Sequence, residues 1–134
     1  DVCSSDLRNN MVRAVCDVGR RDAHSDALLH SLHWLPVRRR VDFKVATLCW
    51  KACHLSQPAY LSALIHPYTP FRSLRSSDAH LLQDRRSGTV TADRRFSVAA
   101  PRLWNSLPIH IRTSASIDTF KTQLKTHLYI YPID

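Results

Sequence analysis

The sequence predicts a mainly α fold: a small helical domain in which several short helices surround one long central helix. Three observations lead there. Apolar residues recur at steps of three and four over four separate segments. Seven Pro divide the 134 residues into short pieces, and two Gly are too few for a turn-rich β-sandwich. Hydrophobic content is 44%, enough for a packed core and too high for a disordered chain. The length fits one small domain.

Met11, Val12, Val15 and Val18 share one face of a helix over residues 9–18, and Gly19 can end it. Arg20-Arg21-Asp22 is a polar connection. Ala27, Leu28, Leu29 and Leu32 mark a short second helix over 23–33, which Pro36 closes because proline disfavours helix in the residue before it. The longest helix is expected from Val37 to His54. Val37, Val41, Val45, Leu48, Ala52 and Leu55 repeat at helical spacing, widened by Phe43, Cys49 and Trp50, and this stripe is the expected core face. Arg38, Arg39 and Arg40 sit in its first turn, where positive charge opposes the helix dipole. A phosphate would offset that, as would Asp42 or solvation.

Pro58 opens a short helix, Ala59 to Ile65. Pro67 and Pro70 force an extended loop from Tyr68 to Ser77. Leu81-Leu82 and Thr89-Val90-Thr91 are strand candidates around Gly88, the one small β-hairpin in this reading. Arg94 to Val98 is expected to be extended. Ala99 to Ser106 reads as a short helix carrying Leu103 and Trp104, ended before Pro108. Ser116 is a suitable N-cap for a last helix that buries Ile117, Phe120, Leu124 and Leu128.

The net charge is +8, from 19 Lys and Arg against 11 Asp and Glu. Long-range attraction and counterion release favour a polyanion partner; the other reading is a solvated basic surface. Arg38, Arg39, Arg40, Lys44 and Lys51 belong to the long helix, Arg72 and Arg75 to the Pro-rich loop. Arg85, Arg86, Arg94 and Arg95 flank the hairpin candidate. Guanidinium suits bidentate phosphate contact. The nucleic-acid-binding candidates are therefore Arg38, Arg39, Arg40, Lys44, Arg72, Arg75, Arg85, Arg86, Arg94 and Arg95. Lys121 and Lys125, four apart on the last helix, read as a solvated face.

Catalytic chemistry is not expected. A polymerase clusters carboxylates around two metal ions, whereas Asp17, Asp22, Asp26, Asp42, Asp78, Asp84, Asp93 and Asp118 are scattered. Two Gly cannot build a phosphate loop. None of the eight His lies in a nucleophile or metal motif. No cofactor is expected. Cys16, Cys49 and Cys53 follow a polar start with no secretion signal and do not suggest a disulfide framework. Cys49, Cys53 and His54 form an incomplete zinc set, so core thiols and no metal are expected. No apolar run approaches the ~18 residues that span a bilayer. Trp34 and Trp104 have two readings: stacking on unpaired bases or anchoring joins between helices. Leu32, Leu35, Leu103 and Leu107 beside them favour anchoring.

Three blocks also read as one signature. They are Leu32-His33-Trp34-Leu35-Pro36-Val37, the run Arg95-Phe96-Ser97-Val98-Ala99-Ala100-Pro101-Arg102-Leu103-Trp104-Asn105-Ser106-Leu107-Pro108, and Phe120-Lys121-Thr122-Gln123-Leu124-Lys125-Thr126-His127-Leu128. In order and spacing they resemble the C-terminal tail of the polyprotein of LINE-type (non-LTR) retrotransposons, which follows the reverse-transcriptase palm and thumb. The resemblance runs over residues 8–134 and includes the Pro-rich stretch His66 to Ser77. Its signature positions are Leu32, His33, Trp34, Leu35, Pro36, Phe96, Pro101, Leu103, Trp104, Asn105, Leu107, Pro108, Phe120 and Leu124.

The resemblance implies an auxiliary, packing domain behind the thumb that binds RNA or DNA without sequence preference, in cytoplasm or nucleus. The palm and thumb would be its protein partners. The family's Tyr-x-Asp-Asp palm sequence and its endonuclease are absent here, so a non-catalytic fragment is expected. The zinc knuckle of some such tails is absent too. The rival expectation is a structural packing module, or a relic of a decayed element with no ligand. Asp1 to Leu7 is set apart from residues 8–134, because it matches the translation of a common sequencing adapter and residue 1 is not Met.

Overall fold

The computed structural model describes residues 2–17, 25–70 and 80–130. Helix α1 spans Val2–Cys16, α2 Ser25–Ser31, α3 Val37–Leu55 and α4 Ala59–Ser62. Helix α5 spans Val90–Asp93, α6 Phe96–Ser106, α7 Ile109–Arg112 and α8 Ile117–Ile130. Among the described residues the protein is mainly α, with no strand. Helix α3 is the long central element, and α4, α6 and α8 pack against it, while α1 packs on α2.

The core gathers Cys49 and Trp50 of α3, Ala100 and Trp104 of α6, and Phe120, Leu124 and Leu128 of α8. Its centre is aromatic: Phe120 lies 6.1 Å from Trp50 and 5.9 Å from Trp104, ring to ring. These rings decide which way α3 turns. Its buried residues are Ala46, Thr47, Cys49, Trp50 and Ala52. Val41 is 55% exposed and Leu55 is also exposed. The core face is thus rotated from the expected stripe: Ala52, Cys49 and Trp50 are buried and Val45 and Phe43 pack on the core, while Val41 and Leu55 face out. Val41 lies nine residues from Trp50, about half a turn away at about 100° per residue. Burying the larger aromatic surface wins over Val41.

Several helix ends differ from expectation. Helix α1 stops at Cys16 with Asp17 in the left-handed region (φ 52°); Gly19 and the Arg20-Arg21-Asp22 connection lie outside the described residues. The helix also runs through Val2–Leu7, the stretch set apart in the sequence. Helix α2 ends before Pro36 is reached. His33 turns left-handed (φ 54°), and Trp34 N–H reaches back to Leu29 O at 2.9 Å. That six-to-one bond closes the helix as a Schellman end does. Pro36 instead stands immediately before α3, with ψ 155°.

The hairpin expectation is overturned. Thr89 is extended, but it caps α5, accepting from Ala92 N–H at 3.2 Å. Leu82 makes only a lone antiparallel bridge with Pro67. Arg94 to Val98 is not extended either, since α6 begins at Phe96. Val98 and Phe96 reach the core from that added turn, which helps hold a helix containing Pro101. The last helix is as expected: Thr119 N–H donates to Ser116 Oγ at 3.2 Å, and Phe120, Leu124 and Leu128 are buried.

Signature residues fasten the 80–83 segment to α6. Trp104 Nε1 donates to His80 O at 2.8 Å. Leu82 N–H donates to Asn105 Oδ1 at 2.9 Å, and Asn105 Nδ2 donates to Leu82 O at 2.8 Å. The Asn105 amide thereby satisfies both backbone groups of a buried residue, as a neighbouring strand would.

Candidate nucleic-acid interface

An open groove of about 830 Å³ lies between α1, the α2–α3 join, α3 and α8. Leu7 and Met11 of α1, His33, Trp34 and Leu35 of the join, and Phe43 of α3 supply its apolar and aromatic lining. Arg40 and Lys44 of α3 and Lys125 of α8 supply charge, and among the described lining residues there is no carboxylate. A second, shallow groove of about 330 Å³ continues along α3, lined by Val37, Arg40, Val41, Lys44 and Val45. Exposed Val41 and half-buried Val37 and Val45 therefore share a surface with two of the expected cations.

The arginine run does not form one patch. Consecutive helical residues point about 100° apart, so Arg38, Arg39 and Arg40 diverge, and Arg40 alone of the three lines the larger groove. Arg39 bears on α8: burial first, then His110 and Arg39, hold the His127 pKa below its usual value. Nη1 of Arg39 is buried without a hydrogen-bond partner. Burial raises the Asp42 carboxyl, with Arg39 and Arg38 pulling it back. Arg85, Arg86, Arg94 and Arg95 are exposed around α5, away from the groove lining. Arg72 and Arg75 lie outside the described residues.

Three further cations matter. Lys125 lines the groove instead of a plain solvated face. No local sequence signal marks it, because α8 is brought to the α2–α3 join only by tertiary packing. Arg102 pairs with Asp93 at 2.6 Å and Asp84 at 3.4 Å. The Ser87 hydroxyl, then Arg102, hold the Asp93 carboxyl below the usual range. Arg112 is buried with Nε and Nη1 unpartnered, and desolvation lowers its pKa.

The tryptophans separate. Trp104 is 2% exposed and Trp50 4% exposed, so the anchoring expectation holds for Trp104. Trp34 is 37% exposed and lines the groove, so it is less enclosed than Trp104. Beside it, His33 stacks on Tyr129 of α8 at 5.4 Å and 12°.

Cys49 is buried and Cys53 exposed, one turn later. The hydrogen bond between their sulfurs, then burial, raises the Cys49 thiol, and the same bond lowers Cys53. Among the described residues no group of three or more His, Cys, Asp or Glu is placed to hold a metal ion. No described helix is long and apolar enough to cross a membrane. Comparison with protein families, curated proteins and solved structures finds no match to this chain.

Proposed function

We propose that this chain is a non-catalytic C-terminal portion of a LINE-type reverse transcriptase, an auxiliary domain that binds RNA or DNA beside the palm and thumb. The observation that carries the binding role is the groove walled by Arg40, Lys44 and Lys125 over an aromatic and apolar lining. Three cations along one groove, on a chain of net charge +8, attract phosphate and release its counterions. The parentage rests on the three signature blocks, whose Trp104 and Asn105 have specific fastening roles here. Such a domain would act in the cytoplasm or nucleus, where its template and target are found. The exposed Val41 and Leu55 favour one addition, a packing contact of α3 with the rest of the polyprotein.

Two measurements test the reading. Binding of the full chain to fluorescent RNA and DNA should weaken steeply with added salt; salt-insensitive binding, or none at low salt, refutes the role. Sequencing the DNA upstream should reveal a reading frame with the palm's Tyr-x-Asp-Asp sequence. An unrelated frame there refutes the parentage.

A further inference from the structure

The groove is more specific than a basic surface needs to be. Phosphate attraction alone asks for cations on a convex face. Here the cations stand over an aromatic and apolar lining, with His33, Trp34 and Phe43 beside Arg40, Lys44 and Lys125. Trp34 is the exposed indole of the three, since Trp50 and Trp104 are used in the core. Its backbone is held by the bond to Leu29 O at 2.9 Å, and Leu35 next to it is buried. An aromatic ring so held gives up little freedom when a flat ligand stacks on it. Duplex bases already stack on each other and expose only their edges in the grooves. Unpaired bases offer open faces to aromatic side chains while their phosphates seek cations.

Resting on the nucleic-acid reading above, we propose that this groove takes unpaired nucleotides of single-stranded RNA or DNA, a base stacking on Trp34 and adjoining phosphates meeting Arg40, Lys44 and Lys125. The positive charge of these three side chains matches the phosphates. The stack carries no base preference, because every base has a π-face.

The test uses the full chain with three probes: an oligouridine strand, an RNA duplex of equal length and a polyglutamate peptide. Affinity is read by anisotropy over a salt series, stability by thermal melting, and Trp34 by fluorescence quenching. The strand should bind more tightly than the duplex and quench wild-type fluorescence. Trp34→Ala should weaken strand binding roughly 5- to 150-fold, the loss expected of one stacked base, with the duplex unaffected and melting little changed. Trp34→Phe should restore most of the affinity. Lys44→Gln should reduce the salt slope by about one.

Strand binding that survives Trp34→Ala, or a duplex that binds more tightly than the strand, overturns the proposal while leaving general nucleic-acid binding intact. Polyglutamate bound in a Trp34-dependent way, in preference to the strand, assigns the groove to an acidic peptide and also overturns it. Absence of RNA and DNA binding at low salt overturns both the groove and the reading beneath it. If Trp34→Ala fails to fold, wild-type quenching and Trp34→Phe decide: an unquenched wild type refutes the stack.

Discussion

Trp34 and Trp104 occupy similar sequence settings and different environments. Trp34 is followed directly by Leu35-Pro36, and Trp104 by Leu107-Pro108 after Asn105 and Ser106. In both cases the Leu is buried and the Pro stands immediately before a helix, α3 or α7. The Trp positions differ, since Trp34 lies in the link behind the left-handed His33 and Trp104 lies within α6. Their rings part company because different elements face them. Trp104 is enclosed by Phe120 at 5.9 Å, His54 at 6.4 Å and the His80 carbonyl. Trp34 opens onto the groove. A Leu-Pro pair after Trp thus encodes a turn into a helix, and the role of the Trp depends on what lies across from it.

The most direct way to break the comparison is truncation of the two rings. Trp104→Ala should cost about 3–5 kcal/mol of folding stability in denaturant unfolding, since it empties a filled core site. An equal cost for Trp34→Ala would erase the distinction. Asn105→Ala comes next. It leaves the N–H and C=O of buried Leu82 without their partners, for a loss of about 1–3 kcal/mol. Faster hydrogen exchange at Leu82 would locate the effect in that clamp; unchanged exchange and melting would remove the fastening role that sets the second join apart.

A pH effect probes the seam between α3 and α8, the helices that contribute to both joins. The His127 pKa is lowered from 6.5 by burial, then His110 and Arg39. Protonation therefore favours the unfolded chain. Stability should be whole above about 6.5, the ordinary pKa, and decline as pH falls towards the lowered folded value. Melting from pH 8 to 5 should show the decline, and His127→Leu should flatten it. A decline unchanged in that variant assigns it elsewhere. Smallest of all should be Val41→Asp, within about 0.5 kcal/mol of wild type, because Val41 stands in water on α3. Severe destabilisation there would restore the valine stripe as the core face.

Much of the fold was legible because its causes are local. Ser116 announces α8 by its hydroxyl, and the three-and-four spacing of Ile117, Phe120, Leu124 and Leu128 marks the face that packs. The extent of α3 was nearly as plain, expected from Val37 to His54 and found from Val37 to Leu55. The hairpin error came from reading β-branched Thr89, Val90 and Thr91 as strand. An N-cap Thr is itself extended, with φ −141° and ψ 148°, so the same residues fit the start of α5. The candidate site was legible in part. Arg40 and Lys44 were identified by charge, but nothing near Lys125 in sequence says that it joins them.

The sequence by itself determined where α3, α4 and α8 start and that the chain is strongly basic. These follow from side-chain caps, proline geometry and net charge, which act over a few residues or need no geometry at all. Tertiary structure alone decided which side of α3 is buried, that Trp34 stays open while Trp104 closes, and that cations from α3 and α8 meet over one groove. Each of those outcomes depends on the packing of Trp50, Trp104 and Phe120, large rings brought together from separate helices whose joint burial outweighs the local pattern of any one of them.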